Sequence, residues 1–285
     1  MILVTGATGL VGKELTKLFD ELGVSYMGLS HNSFDLANDL SLVDWMDEAP
    51  SQIIHLAAAV PQAFGREDDG DNADDTRRMD ENVARAARAW GCRVIYASTC
   101  LLYDSRDPAV KFENSPVRAR EGSPYSSAKL EGEKTFASLG HSLVFRLSAP
   151  VGPSMVPTLV LPKFVAAAKS DVPLEVWGSG FREQDFIDLS DIANFLVIAA
   201  GTKALPNVLN LVSSDFVCMM ELAELVVRTI GGGSVQGPIE SVHDPLDAEF
   251  ARYSNILAFE ALGWKPLRPL ASSIAEIGAH YAKNY

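Results

Sequence analysis

A short apolar run leads straight into a glycine at the start of this chain, Ile2-Leu3-Val4-Thr5-Gly6. An amphipathic stretch follows, Lys13–Leu22, in which Leu15, Leu18, Phe19 and Leu22 recur at helical spacing and are expected to face inward. The same rhythm returns. Val24–Leu29 reads as a second strand, Ser41–Ala49 as a helix, and Ile53–Ala58 as a buried strand opening onto a loop. Asp75–Trp90 has helical spacing in Met79, Val83, Ala86, Ala87 and Trp90 and stops at Gly91, and Val94–Ala97 is again a strand. Strands alternating with helices imply parallel pairing through right-handed crossovers, an α/β doubly wound parallel sheet. Near-continuous apolar strands fit a sheet covered on both faces.

The turn after the first strand, Thr5-Gly6-Ala7-Thr8-Gly9-Leu10-Val11-Gly12, has the context a dinucleotide needs. Gly6 permits a tight turn, Gly9 close approach of a pyrophosphate, and Gly12 contact between helix and strand. The helix N-terminus then offers unpaired amides and the positive end of its dipole. A plain strand–helix connection is the competing reading. Where an NAD site usually carries an acidic residue, about 20 residues on, stand Ser30, His31 and Asn32. Nothing there repels a 2′-phosphate and no arginine follows, so NAD and NADP both stay open. Asp35 is either an acceptor for the adenine amino group or a surface carboxylate.

Tyr125 and Lys129 in Tyr125-Ser126-Ser127-Ala128-Lys129 lie four apart, on one face of a helix that Ser123-Pro124 starts. An ammonium about 5 Å from a phenol, at an effective dielectric of ~20, favours the phenolate by roughly 3 kcal/mol, or about two pKa units. That expectation makes Tyr125 a proton acceptor near neutral pH. The strand upstream ends Ala97-Ser98-Thr99-Cys100, where hydroxyls at a carboxyl edge point into the ligand crevice. Thr99 is the candidate to hydrogen-bond the reacting oxygen; a turn-capping role for Ser98 or Thr99 is the alternative.

Charge narrows the partners. With 24 Lys+Arg against 37 Asp+Glu, a net charge of −13 argues against nucleic acid. Glu67, Asp68, Asp69, Asp71, Asp74 and Asp75 lack calcium-loop spacing and read as a solvated loop, so no metal is expected. Cys92, Cys100 and Cys218 form neither a disulfide framework nor a zinc pattern, consistent with a reducing compartment. No apolar run approaches the ~20 residues of a membrane helix, and the opening strand has no export signal, so no membrane partner and a cytoplasmic address are expected. The alternation breaks near Pro150, with Pro153, Pro157, Pro162 and Pro173 beyond it. The expected division is a dinucleotide-binding domain over 1–151 and a smaller substrate-binding region over 152–285, some of whose segments return to the main sheet.

Seven motifs in order resemble the extended short-chain dehydrogenase/reductase family, in particular its NAD-dependent sugar epimerase/dehydratase branch. These are the opening glycine turn, His55-Leu56-Ala57-Ala58, Asn82-Val83, Ser98-Thr99 with Tyr103 and Tyr125/Lys129, Arg146 through Gly152-Pro153, Gly178 through Ile187 with Asp191, and Leu262-Gly263-Trp264-Lys265-Pro266. The resemblance implies a hydride-transfer enzyme in which Thr99 orients the substrate, Tyr125 is the acid/base, and Lys129 holds the ribose and acidifies the phenol. It implies dinucleotide contacts from Gly6, Thr8, Gly9, Leu10, Val11, Gly12, Ser30, His31, Asn32, Asp35, Leu36, Leu56, Ala57, Ala58, Asn82, Ala97, Ser98 and Pro150. Candidate substrate contacts are Val60, Thr99, Cys100, Lys163, Arg182 and Arg252; packing is the other reading of Cys100, an exposed helix lysine that of Lys163.

The departures narrow the activity. Cys100 and Leu101 stand where dehydratases carry an Asp-Glu pair, so dehydration is not expected. Ala149 replaces an asparagine of the nicotinamide turn. Gln184 precedes Asp185 where sugar-nucleotide members commonly place an arginine, and a late R-x-G-D is missing, which leaves a nucleotide-diphosphate substrate open. Three functions remain: an epimerase of a sugar or sugar nucleotide, a sugar ketoreductase, and a non-catalytic dinucleotide-sensing subunit. The family also implies a homodimer through the helices bearing Asn82 and Tyr125, although Leu130, Phe136 and Leu139 are explained as well by packing on the sheet.

Overall fold

The computed structural model describes residues 1–38, 41–60 and 71–284. Its centre is a six-stranded parallel sheet in the order β2-β1-β3-β4-β5-β9. The strands are β1 (Ile2–Thr5), β2 (Tyr26–Leu29), β3 (Gln52–His55), β4 (Arg93–Thr99), β5 (Leu143–Leu147) and, from far along the chain, β9 (Val208–Leu211). Because β1 lies between β2 and β3, the winding reverses between β1 and β3, and a crevice opens at their carboxyl ends.

Alternate residues of each strand feed opposite layers. Ile2, Val4, Ile54, Ile95, Leu143 and Phe145 face α1 (Leu10–Leu22) and α6 (Leu189–Gly201), burying Leu15, Phe19, Phe195 and Leu196. Leu3, Ile53, Val94, Tyr96 and Val144 face α3 (Asp71–Trp90) and α4 (Pro124–Ala137), burying Val83, Ala86, Ala87 and Phe136. Helices therefore cover both faces, as the apolar strands require.

A third core joins α5 (Val160–Lys169), α7 (Met219–Ile230) and α9 (Leu270–Asn284) around Phe164, Leu222, Val226 and Ile274. Beside it lie two small sheets, β6 (Ala149–Val151) with β8 (Glu183–Asp188) and β10 (Phe216–Cys218), and β7 (Leu174–Trp177) with β11 (Val235–Ile239). Among the described residues no helix is long and apolar enough to cross a membrane.

Several boundaries differ from the sequence reading. α1 starts at Leu10, three residues earlier than Lys13, because Gly9 already serves as its N-cap. Leu22, in its last turn, is 56% exposed instead of inward. The helix expected over Ser41–Ala49 is a single turn, α2 (Leu42–Trp45), after which Met46 is extended. β3 stops at His55, three residues short of Ala58, where the chain leaves the sheet to pass the glycine turn. β4 runs two residues beyond Ala97, so Ser98 and Thr99 belong to the strand itself.

Candidate active site

The turn after β1 is built for close approach. Gly6 has φ +67°, and a Cβ on it would lie 2.8 Å from the Ala57 amide nitrogen and 2.9 Å from the Leu56 carbonyl carbon. A Cβ on Gly12 would sit 2.1 Å from the Gly6 carbonyl oxygen, so α1 can only start this close to β1 with glycine there. No side chain caps α1 and no acid stands in its first turn. Thr8 and Gly9 are exposed, and Leu10 and Val11 are partly so. Open amides, a positive dipole end and no carboxylate fit a dinucleotide pyrophosphate at the crevice.

Ser30, His31 and Asn32 follow β2, whose Leu29 carbonyl accepts from the Ala7 amide beside the glycine turn. The Ser30 and Ser33 hydroxyls lie 3.3 Å apart, and His31 is exposed. Asp35 turns into its own loop: one oxygen accepts from the Ala37 amide at 3.0 Å and the other from Asn38 at 2.8 Å. Asn82, buried on α3, donates to the Leu36 carbonyl and accepts from the Leu42 amide, both at 3.2 Å, which fastens this loop to the helix layer.

The helix with the Tyr/Lys pair is well specified. Ser123 caps α4 by accepting from the Ser126 amide at 3.2 Å, and Pro124 occupies the first turn. Lys129, 2% exposed, donates to the Ala97 carbonyl at 2.9 Å and to the Tyr96 hydroxyl at 3.3 Å. The ammonium is thus pinned at the carboxyl end of β4, two residues before Thr99. Thr99 itself caps the 3-10 turn Cys100–Leu102, its hydroxyl accepting from the Leu101 amide at 3.2 Å. Ser98 donates to Glu133 at 2.6 Å, and Glu133 takes a two-pronged ion pair from Arg146 at 2.8 and 2.9 Å.

The acidified phenol expected from the sequence is not what the geometry gives. Burial, and then the charge of Asp80, push the Tyr125 phenol well above its ordinary value. Lys129 directs two of its three donors to Tyr96 and Ala97, and burial lowers its own pKa. Both influences disfavour the phenolate at Tyr125.

The proposed substrate contacts scatter. Cys100 is buried, donates to the Arg146 carbonyl at 3.4 Å, and packs with Tyr103 and Val212. Arg182 forms a 2.9 Å ion pair with Asp244. Arg252 is clamped by Glu183 at 2.7 and 2.8 Å, with its guanidinium 5.0 Å from the Phe216 ring centre and 5.2 Å from that of Phe250. Lys163 is exposed on α5, and Val60 is 49% exposed at the end of the segment after β3. Pro150 lies in β6, paired with Ile187. Of the acidic stretch, 61–70 falls outside the described residues, while Asp74 and Asp75 pair with Arg77 and Arg78 on α3. No group of side chains fit to hold a metal occurs among the described residues.

Residues 2–211 match the NAD dependent epimerase/dehydratase family. The chain belongs to that family. The dTDP-D-glucose 4,6-dehydratase of Mus musculus is 25% identical over 204 residues, a match that takes in 68% of this family member and 56% of the mouse protein. The UDP-glucose 4-epimerase of Thermus thermophilus, solved in complex with NAD, superposes with a TM-score of 0.83 at 19% identity, over 100% of this chain and 99% of that one. RMD from Pseudomonas aeruginosa, complexed with NADPH, gives a TM-score of 0.81 at 21% identity over 99% of each chain. At these identities the superpositions establish the fold.

Residues that motif reading did not single out knit this family member's site together. Asp80, Tyr96 and Glu133 are all buried: Tyr96 accepts from Lys129, Asp80 accepts from Tyr96, and Glu133 accepts from Ser98, the neighbour of the Ala97 carbonyl that holds the ammonium. Glu133 carried a signal, four residues after Lys129 on the same helical face. Asp80 carried none, because a lone acid on a helix usually faces solvent.

Proposed function

We propose that the protein is an NAD(P)-dependent epimerase acting on a sugar or sugar nucleotide. The observation behind this reading is the convergence, on one sheet edge, of an open glycine turn after β1 and a helix that seats Lys129 on the Ala97 carbonyl beside Thr99. A bound nicotinamide would supply the acceptor and donor of hydride. The chain supplies the proton chemistry. Thr99 hydrogen-bonds the substrate oxygen, Tyr125 takes a proton from it when the carbinol is oxidised and returns it when the ketone is reduced, and Lys129 stabilises the phenolate. The glycine turn and the first turn of α1 hold the pyrophosphate. Cys100 and Leu101 after Thr99 offer no acid/base pair for eliminating water, which separates this reading from a dehydratase.

A second reading is a ketoreductase with the same residues, favoured by the burial that raises the Tyr125 phenol, since a group that keeps its proton can deliver it to a ketone oxygen. Denaturing the purified protein and assaying released dinucleotide separates the two. Retained dinucleotide that recycles within the site supports the epimerase; stoichiometric consumption of NADPH with a keto-sugar overturns it. For either reading, Tyr125→Phe should lower turnover about 100-fold or more while dinucleotide affinity stays unchanged. Undiminished turnover would exclude both.

A further inference from the structure

Behind Lys129 a file of buried polar groups crosses the molecule from the catalytic helix to the glycine turn. Thr5, His55, Asp80, Tyr96 and Lys129 are each at most 2% exposed. Burial lowers the His55 pKa, and because the Asp80 carboxylate can only accept, Nε2 carries the ring proton and Nδ1 is left to accept. The hydrogen bonds then have one consistent sense. Thr5 Oγ1 donates to His55 Nδ1 at 2.6 Å, and His55 Nε2 donates to Asp80 Oδ1 at 2.9 Å. Tyr96 donates to Asp80 Oδ2 at 2.7 Å, and its oxygen accepts from Lys129 at 3.3 Å. At the far end Thr5 Oγ1 accepts from the Ala57 amide at 3.2 Å, the same nitrogen that crowds Gly6.

A carboxylate this deep costs stability, and apolar packing would hold two helices against a sheet at least as well. α4 even lacks a side chain where the file passes. A Cβ on Gly132 would lie 2.1 Å from the Tyr96 hydroxyl and 2.3 Å from Asp80 Oδ2. We infer that Asp80 is a positioning residue: through Tyr96 it keeps the Lys129 ammonium charged and seated on Ala97, and through His55 and Thr5 it ties that ammonium to the floor of the glycine turn. This rests on the reading of Tyr125 and Lys129 as the chemical pair.

The charged groups around the ammonium single out Asp80. His55 faces it from β3, Tyr96 from β4, Asp80 from α3, and Tyr125 and Glu133 share its own helix. Glu133 is already neutralised by the Arg146 guanidinium of β5. Among the described residues no guanidinium pairs with Asp80, and its charge is the largest influence opposing the effect of burial on Lys129.

The test is Asp80→Asn in the full-length chain without dinucleotide, following the Lys129 ammonium by NMR of protein labelled with 15N-lysine, with Lys129→Arg for assignment. Removing a negative charge lowers the midpoint of a cation. With Asp80 no more than about 6 Å away through the Tyr96 oxygen, the midpoint should fall by about one to two pH units. An unmoved midpoint overturns the assignment. Should Asp80→Asn fail to fold, Tyr96→Phe keeps the carboxylate and removes the bridge; faster exchange of the ammonium protons with water is expected, and unchanged exchange overturns the assignment equally. In active protein the alkaline limb of kcat should move down with the midpoint, whereas a merely structural Asp80 would lower Tm and leave the limb in place. The NMR readout needs no turnover. An inactive wild type would therefore refute the functional reading alone, and an unmoved midpoint in an active protein would refute only the role of Asp80.

Discussion

Replacing Gly132 by alanine pits helix propensity against packing, and the structure gives the sizes of both. In a helix interior the change from glycine to alanine stabilises by about 1 kcal/mol. Here the new methyl would stand 2.1 Å from the Tyr96 hydroxyl and 2.7 Å from Tyr96 Cζ, far inside contact distance. The tyrosine cannot retreat freely, because its ring packs 4.4 Å from that of Phe136 and is fully buried. Retreat by an ångström breaks its 2.7 Å bond to Asp80, a loss of about 1.5–3 kcal/mol for a hydrogen bond to a charged group. Strain in the close-packed layer adds about 1–3 kcal/mol. The net destabilisation is about 2–5 kcal/mol, or a fall in Tm of roughly 5–15 °C for a chain of this size. Thermal melts of wild type and Gly132→Ala by circular dichroism in one buffer measure it. A melting point equal to or above that of wild type would show that α3 and α4 do not meet through a Tyr96–Asp80 contact.

Two further expectations follow from other parts of the molecule. Gly12→Ala puts a methyl against the Gly6 carbonyl and the Ala7 backbone, so dinucleotide affinity measured by titration calorimetry should fall about 100-fold, the equivalent of some 2.7 kcal/mol of strain; unchanged affinity would remove the glycine turn from the binding site. Burial holds the His55 imidazole below its ordinary value, so the unfolded chain takes up a proton near pH 6.5 that the folded chain refuses, and stability present above that pH is lost as pH falls, at up to about 1.4 kcal/mol per unit. In His55→Gln the slope of unfolding free energy from urea titrations against pH below 6.5 should be flatter by up to that amount, and equal slopes would place the imidazole in solvent.

The sheet was legible because its strands are short, apolar and each punctuated by glycine or a helix signal, as at Ile2–Gly6 and in the helix stopped at Gly91. Boundaries failed where tertiary contacts decide them. Nothing local tells His55 to be the last residue of β3; the approach of Gly6 does. The glycine turn and the Tyr125–Lys129 spacing were readable because their chemistry is local. The upward push on the Tyr125 phenol was not, since it comes from burial that spacing does not encode and from Asp80, 45 positions earlier in sequence. Arg182 and Arg252 illustrate the same gap: sequence offers two cations, and only the folded chain shows each already matched with a carboxylate.

The strand Val208–Leu211 reaches the central sheet from well past the first proline-rich stretch and hydrogen-bonds along β5. A fragment ending at residue 151 would leave β5 as a naked edge, with Val144 and Phe145 stripped of their neighbours Val208 and Leu209. Such a piece would seek a strand from another copy of itself and precipitate. A cut at residue 151 therefore removes a strand of the central sheet itself.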